Sequence, residues 1–221
     1  MASSFNLEKG QLAERKLLVT IAEWEKYILT TSQPADWATS YTSYYTKSGD
    51  EYTAVSGGTA PTWAANTYYS HEVGRQILGT RTEDSSIEYN ADIETTTDIR
   101  GTNYTDVNRT QPQQDFDPFY VMGGSKLAEL LNDIRRRNAV TELNQFTIYI
   151  VTTFIGDSTN GYEAECHTGC TIAYTSIGGD TRVNFPISVY LSNDYNGSGA
   201  PATGTVDEIS DEFEFTPDVT A

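Results

Sequence analysis

Hydrophobic positions along this chain recur mostly with a period of two. In "SIEYNADIETTTDIRG", residues 86–101, one side carries Ile87, Tyr89, Ala91, Ile93, Thr95, Thr97 and Ile99. The other side carries Glu88, Asn90, Asp92, Glu94, Thr96 and Asp98. Alternation of this kind predicts a half-buried strand, with Ile87, Tyr89, Ile93 and Ile99 turned to the core and four carboxylates turned outward. In "LNQFTIYIVTTFIGD", Phe146, Ile148, Ile150, Thr152 and Phe154 alternate with Gln145, Thr147, Tyr149, Val151 and Thr153. Both of its faces are fairly apolar, which predicts a buried strand. "YEAECHTGCTIAYTSI" reads as a hairpin or a bulged strand turning near Thr168-Gly169. "TRVNFPISVYLSN" places Val183, Phe185, Ile187, Val189 and Leu191 on one face, and Pro186 on the other suggests a sheet edge. "VDEISDEFEFTP" sets Ile209, Phe213 and Phe215 against Glu208, Glu212 and Glu214, which predicts a last strand.

One segment has a different period. In "GGSKLAELLNDIRRRNAV", Leu127, Leu130, Leu131 and Ile134 fall at i, i+3, i+4 and i+7, the spacing of a helix face. Ser125 is placed to cap its start, and Arg135, Arg136 and Arg137 suit the negative end of the helix dipole. A mainly β fold follows: an antiparallel sandwich or half-barrel with one flanking helix near 125–138.

Residues 33–72 are crowded with Tyr, Thr, Ser, Gly and Ala, and contain Trp37 and Trp63. Two aromatic clusters, "YTSYY" and "NTYYS", flank "KSGDEYTAVSGG", which reads as a β-hairpin with a Ser-Gly-Asp turn. The organisation expected is an N-terminal arm with a first helix or strand over 1–32, a Tyr/Trp-rich inserted loop or hairpin over 33–72, and a β core over 73–221. "LSNDYNGSGAPATGT" (191–205) reads as a second loop.

The 221 residues include 14 Lys+Arg against 31 Asp+Glu, a formal charge of −17. That balance argues against tight phosphate binding, which needs clustered cations. With 38% hydrophobic and 12% aromatic residues the chain is too apolar for a solvated acidic polymer and should fold. "MASSFNLEKGQLAERK" lacks a basic stretch followed by an apolar run, and no stretch approaches the roughly 18 apolar residues that span a bilayer. Assembly in a cytoplasm, away from membranes, is the expectation, with Cys166 and Cys170 kept as thiols.

Candidate chemistry is sparse. Two carboxylates about 5–10 Å apart suit glycoside hydrolysis, and Asp92 and Glu94 at i and i+2 have roughly that spacing. A solvated strand face explains them as well, and nothing else suggests a sugar cleft. His71 and His167 are far apart in sequence, without a nucleophile signature. Cys166-His167-Thr168-Gly169-Cys170 has the look of a metal half-site, yet a structural zinc needs about four ligands and no second cluster exists. No Gly-rich phosphate loop appears: "GTNYTDV" and "SGGTAP" lack the lysine. The chain is therefore read as a non-enzyme without cofactor or metal. Aromatic-rich loops on a β scaffold remain compatible with a receptor- or glycan-binding domain, or with permanent protein contacts.

The order "EDSSIEYNADIETTTDIRGTNYTDVNRTQPQQDFDPF", then the helix, then "LNQFTIYIVTTFIGD" and final strands, resembles the major tail tube proteins of tailed bacteriophages over roughly residues 80–215. "SYYTKSGDEYTAV...PTWAANTYY" is also similar to inserted modules that recur in virion proteins of phages infecting Gram-positive bacteria. The resemblance implies rings, usually hexameric, that stack into a tube, with long strands joining an intersubunit β-barrel around a lumen. It implies a virion protein of the tail, assembled in the host cytoplasm, whose partners are further copies, other tail proteins, and the tape measure protein and DNA in the lumen without tight binding. The lumen-facing acidic positions would fall on Glu88, Asp92, Glu94 and Asp98. Ring-to-ring contacts would fall on the 33–72 region and residues 1–16. Candidate intersubunit contacts are Arg135, Arg136, Arg137, Trp37, Tyr44, Tyr45, Trp63, Tyr68 and Tyr69. An acidic wall repels a polyanion and would let DNA slide.

Overall fold

The computed structural model describes residues 6–12, 18–49, 51–63, 67–79, 82, 85–90, 93–107, 111–192 and 199–218. Its elements in chain order are β1 (Leu18–Thr30), α1 (Trp37–Ser40), β2 (Tyr44–Ser48), β3 (Glu51–Ala54), β4 (Tyr68–Ile77), β5 (Ile87–Asn90), β6 (Ile93–Thr97) and β7 (Asn103–Val107). They continue with β8 (Gln111–Phe116), α2 (Lys126–Arg137), β9 (Phe146–Asp157), β10 (Gly161–Tyr174), β11 (Ile187–Tyr190), β12 (Ala202–Val206) and β13 (Phe215–Pro217). The fold is mainly antiparallel β, as the period-two pattern requires. Among the described residues no helix is long and apolar enough to cross a membrane.

The chain divides into two compact units, Trp24–Gly74 and the remainder, Met1–Glu23 with Arg75–Ala221. The boundaries fall inside β1 and β4 rather than at 33 and 72.

In the larger unit β10 is the organising strand. One edge pairs with β9; the other pairs first with β12 over Tyr162–Cys166 and then with β11 over Thr171–Tyr174. The change of partner coincides with an irregularity between His167 and Cys170, where Gly169 takes φ +68°. A left-handed glycine is what a bulge of this kind needs, so the Thr168-Gly169 signal marks a bulged strand rather than a hairpin turn. Beyond β11 the sheet continues through β8 to β5. Pro186 therefore does not mark an edge: it lies just before β11, which is paired on both sides, and its carbonyl accepts from Thr175 N. Val183, read as core-facing, is exposed.

One core of this unit gathers alternate residues of four strands, Ile21, Tyr149, Val151, Ala164, Cys166 and Val206, together with Phe213. Phe213 arrives from a loop, not from the continuous strand expected over 206–217. The Asp207 carboxylate accepts from the backbone N–H of Glu208 and Glu214 and closes that loop between β12 and β13. Arg75 holds it from the other side, pairing with Glu23, donating to the Phe213 carbonyl at 2.9 Å and lying over the Phe213 ring.

Helix α2 forms as its sequence predicts. Leu127, Ala128, Leu131 and Ile134 are buried, Ser125 Oγ accepts from Ala128 N, and Asn138 ends the helix in the left-handed region at φ 55°. Gln76 supplies a second cap, its Oε1 accepting from Leu127 N at 3.0 Å.

The smaller unit is a sheet in the order β3-β2-β4-β1, with Gly49 turning the β2–β3 hairpin at φ +64°. Its strands have two aromatic faces, because neighbouring tyrosines in Tyr44-Tyr45 and Tyr68-Tyr69 point to opposite sides.

Candidate functional site

The residues from 86 to 101 do not form one strand. Ile87–Asn90 pair with β8, whereas Ile93–Thr97 pair with β7 in a separate two-stranded sheet. Glu88 and Glu94 are both exposed, but they belong to different sheets. Asp92 lies outside the described residues. Asp98 sits past the end of β6, and its Oδ1 accepts from the N–H of Arg100 and Thr102 at 2.8 and 2.9 Å. That carboxylate shapes a turn, with Gly101 at φ +76°, and is not a member of a strand face.

The core-facing assignment needs the same correction. Tyr89 is 62% exposed and Ile99 fully exposed at 104%. Ile87 is half-buried, and the side chain of Ile93 lies outside the described residues. Tyr89 loses its cover because β5 is the last strand of its sheet; Ile99 loses it because it occupies the hairpin turn.

The β6–β7 hairpin carries Glu94, Thr95, Thr96, Thr97, Asn103, Tyr104 and Thr105 all exposed. Side chains on both faces of this ribbon meet solvent. Among the described residues neither face of the hairpin is packed and neither edge is paired further; such a two-stranded hairpin is marginal in water, and open edges invite pairing.

The aromatic residues of 33–72 divide into two groups. Trp37, Tyr44 and Tyr68 are buried with Val55 against Trp63 and Tyr41. Trp37 Nε1 donates to the Pro61 carbonyl at 3.2 Å, and its ring meets those of Tyr44, Trp63 and Tyr68 at 5.1, 5.5 and 4.5 Å. Trp37, Tyr44 and Tyr68 therefore build the unit's own core and are not free for intersubunit contact. On the opposite face Tyr27 is sandwiched between Tyr52 (3.8 Å) and His71 (4.8 Å), with Tyr45 edge-on to Tyr27 and Tyr69 edge-on to Tyr52. Burial, aided by the Glu25 carboxylate, pushes the Tyr27 hydroxyl up to about 12. Ring faces spent on one another are not offered flat to a sugar, which weakens the glycan-binding alternative. The stack joins residues from four strands, so Tyr27 and His71 carried no local signal.

Of the arginine run, Arg137 is engaged inside the chain, with Asp133 and Glu142 each at 2.8 Å. Arg135 donates to Asn132, while Arg136 is exposed.

Cys166 and Cys170 are free thiols, both buried. Burial pushes Cys166 up to about 12 and Cys170 to about 11. At about pH 8, where an ordinary thiol is partly ionised, both should stay protonated and unreactive toward a disulfide reagent until the protein is unfolded. Fast reaction of either thiol in native protein would contradict this placement. Among the described residues no three His, Cys, Asp or Glu side chains gather into a metal cluster.

Compared with protein-family models, with curated proteins and with solved structures, the chain matches none. The functional reading therefore rests on its own residues.

Proposed function

We propose that this chain is the repeating subunit of a phage tail tube, a non-enzymatic protein that assembles into stacked rings. The β6–β7 hairpin carries the reading: an uncovered two-stranded ribbon with Ile99 at its tip is better suited to an assembly than to a lone monomer. The formal charge of −17 supports a tube through which DNA slides without adhering. In this reading the exposed carboxylates of Glu88 and Glu94 contribute to the acidic lumen from two separate strands.

Negative-stain microscopy of the purified chain tests it. Rings or tubes with a central hole are expected; a monodisperse monomer at high concentration overturns the proposal.

A further inference from the structure

The larger unit carries an open cleft of about 310 Å³ whose apolar walls come from Ile77, Phe119, Tyr120 and Met122. It forms where the chain passes from β8 to α2 through Gly123 and Gly124, which have no side chains to fill it. A Cβ added at either glycine meets nothing within 4 Å. The wall behind is held in place: Phe119 N donates to Asn184 Oδ1 at 2.8 Å, and its carbonyl accepts from Phe185 N at 2.8 Å. Arg75, also in the cleft, is already committed to Glu23 and to the Phe213 carbonyl. The charges left on the lining are Lys126 and Asp211, both exposed, and among the described residues neither has an ion-pair partner.

The same unit carries a surface of matching character elsewhere. At the turn of the β6–β7 hairpin Ile99 is fully exposed between two charges of opposite sign, Asp98 and Arg100. The Asp98 carboxylate accepts from Arg100 N and Thr102 N, so the turn presents Ile99 in a set conformation. An apolar side chain between an acid and a base thus has as its counterpart an apolar wall with a base and an acid around it.

We propose that this cleft receives the β6–β7 hairpin tip of a second copy of the chain, with Ile99 seated against Phe119 and Met122, Asp98 toward Lys126 and Arg100 toward Asp211. Ile99 does not occupy the cleft of its own subunit, where it is fully exposed. The volume lies at the small end of the roughly 300–1,000 Å³ of ligand pockets, which suits one side chain and its flanking turn. Burial of the isoleucine supplies the affinity, and the two rim pairs fix the orientation of the tip. Tip and cleft are different surfaces, so each copy gives its tip to one neighbour and receives that of another. Such a head-to-tail contact closes into a ring or runs on as a helix. The inference rests on the tail-tube reading in taking the assembly to be built from copies of this chain, and it names the surface that accepts the hairpin.

Two variants separate the halves of the contact. Ile99→Asp spoils the tip and leaves the cleft; Gly123→Trp fills the cleft and leaves the tip, at a residue outside the left-handed region with open space before it. Met122→Asp, on a side chain 39% exposed, is a second cleft variant that does not depend on the glycine. Each alone should assemble about tenfold or more weakly in sedimentation velocity, with the dilute subunit melting as before. Mixed in equal amounts, a tip variant and a cleft variant should form a dimer and nothing larger, because one intact tip meets one intact cleft. Ile99→Cys mixed with Met122→Cys should be joined by a short bismaleimide, the buried native thiols staying silent. The docking is overturned if both cleft variants assemble normally, if the mixed cysteine variants are not joined, or if Ile99→Cys alone is joined as readily, which would pair tip with tip. Rings without the mixed crosslink retain the tail tube and overturn the docking; the crosslink in open chains without rings does the reverse.

Discussion

Trp37→Ala is expected to unfold the unit formed by Trp24–Gly74. The indole is 3% exposed, donates to Pro61 and meets four other aromatic rings, those of Tyr41, Tyr44, Trp63 and Tyr68. Truncating a buried tryptophan costs about 3–5 kcal/mol, from lost transfer energy and from the cavity left behind. A unit of this size has a total stability of only a few kcal/mol, at roughly 0.05–0.15 kcal/mol per residue. The loss is comparable to the whole. Hydrogen exchange followed by mass spectrometry should show β2 and β3 losing protection while α2 keeps its own. A variant that retains slow exchange in β2 and β3 would show that the aromatic cluster is not the unit's core. Loss of binding to any ligand in Trp37→Ala would accordingly report unfolding, not a missing contact.

The Trp/Tyr-rich region shows where composition alone misleads. Aromatics between Ser, Thr and Gly read as an exposed loop, because loops and contact surfaces have that composition. In the fold Tyr44 and Tyr68 turn inward and Tyr45 and Tyr69 outward, so alternate residues of one run divide between a core and an open face. The period was legible in "YTSYY" and "NTYYS"; that one phase would be buried under Trp37 depended on a contact from outside either run. Helix α2 was readable because cap, apolar stripe and terminal cations lie within one local segment.

The opening segment failed for a different reason. Its period of two runs unbroken across Ala91-Asp92, but alternation gives only which residues share a side, not which strand each half pairs with. Ile87–Asn90 found β8 and Ile93–Thr97 found β7. A turn signal was present in Asp98 and Gly101, which should have removed Ile99 from any strand face. The Glu165–His167 pair was equally hidden. The cysteines drew attention to the segment, whereas the meeting of Glu165 and His167 depends on strand phase, and the orientation of His167 on Ser192, distant in sequence.

Ile99→Asp should abolish or severely weaken assembly while leaving the isolated subunit as stable as before. In the subunit Ile99 makes no buried contact, being 104% exposed, so the substitution there should lie within about 0.5 kcal/mol. If the hairpin tip is covered in the assembly, the isoleucine contributes roughly 1.5–3 kcal/mol per contact. Each 1.4 kcal/mol is about a tenfold change in concentration dependence. Sedimentation velocity should thus show the concentration for half-assembly rising roughly ten- to a hundredfold, further if the new carboxylate is itself buried. The melting temperature of dilute subunit serves as the control. Unchanged assembly with unchanged melting would place the tip outside the interface, and rings seen by microscopy would then have to close through another surface. A large drop in melting temperature would mean that Ile99 packs within its own subunit. Only loss of assembly without loss of subunit stability fits a hairpin whose apolar tip is completed by another copy.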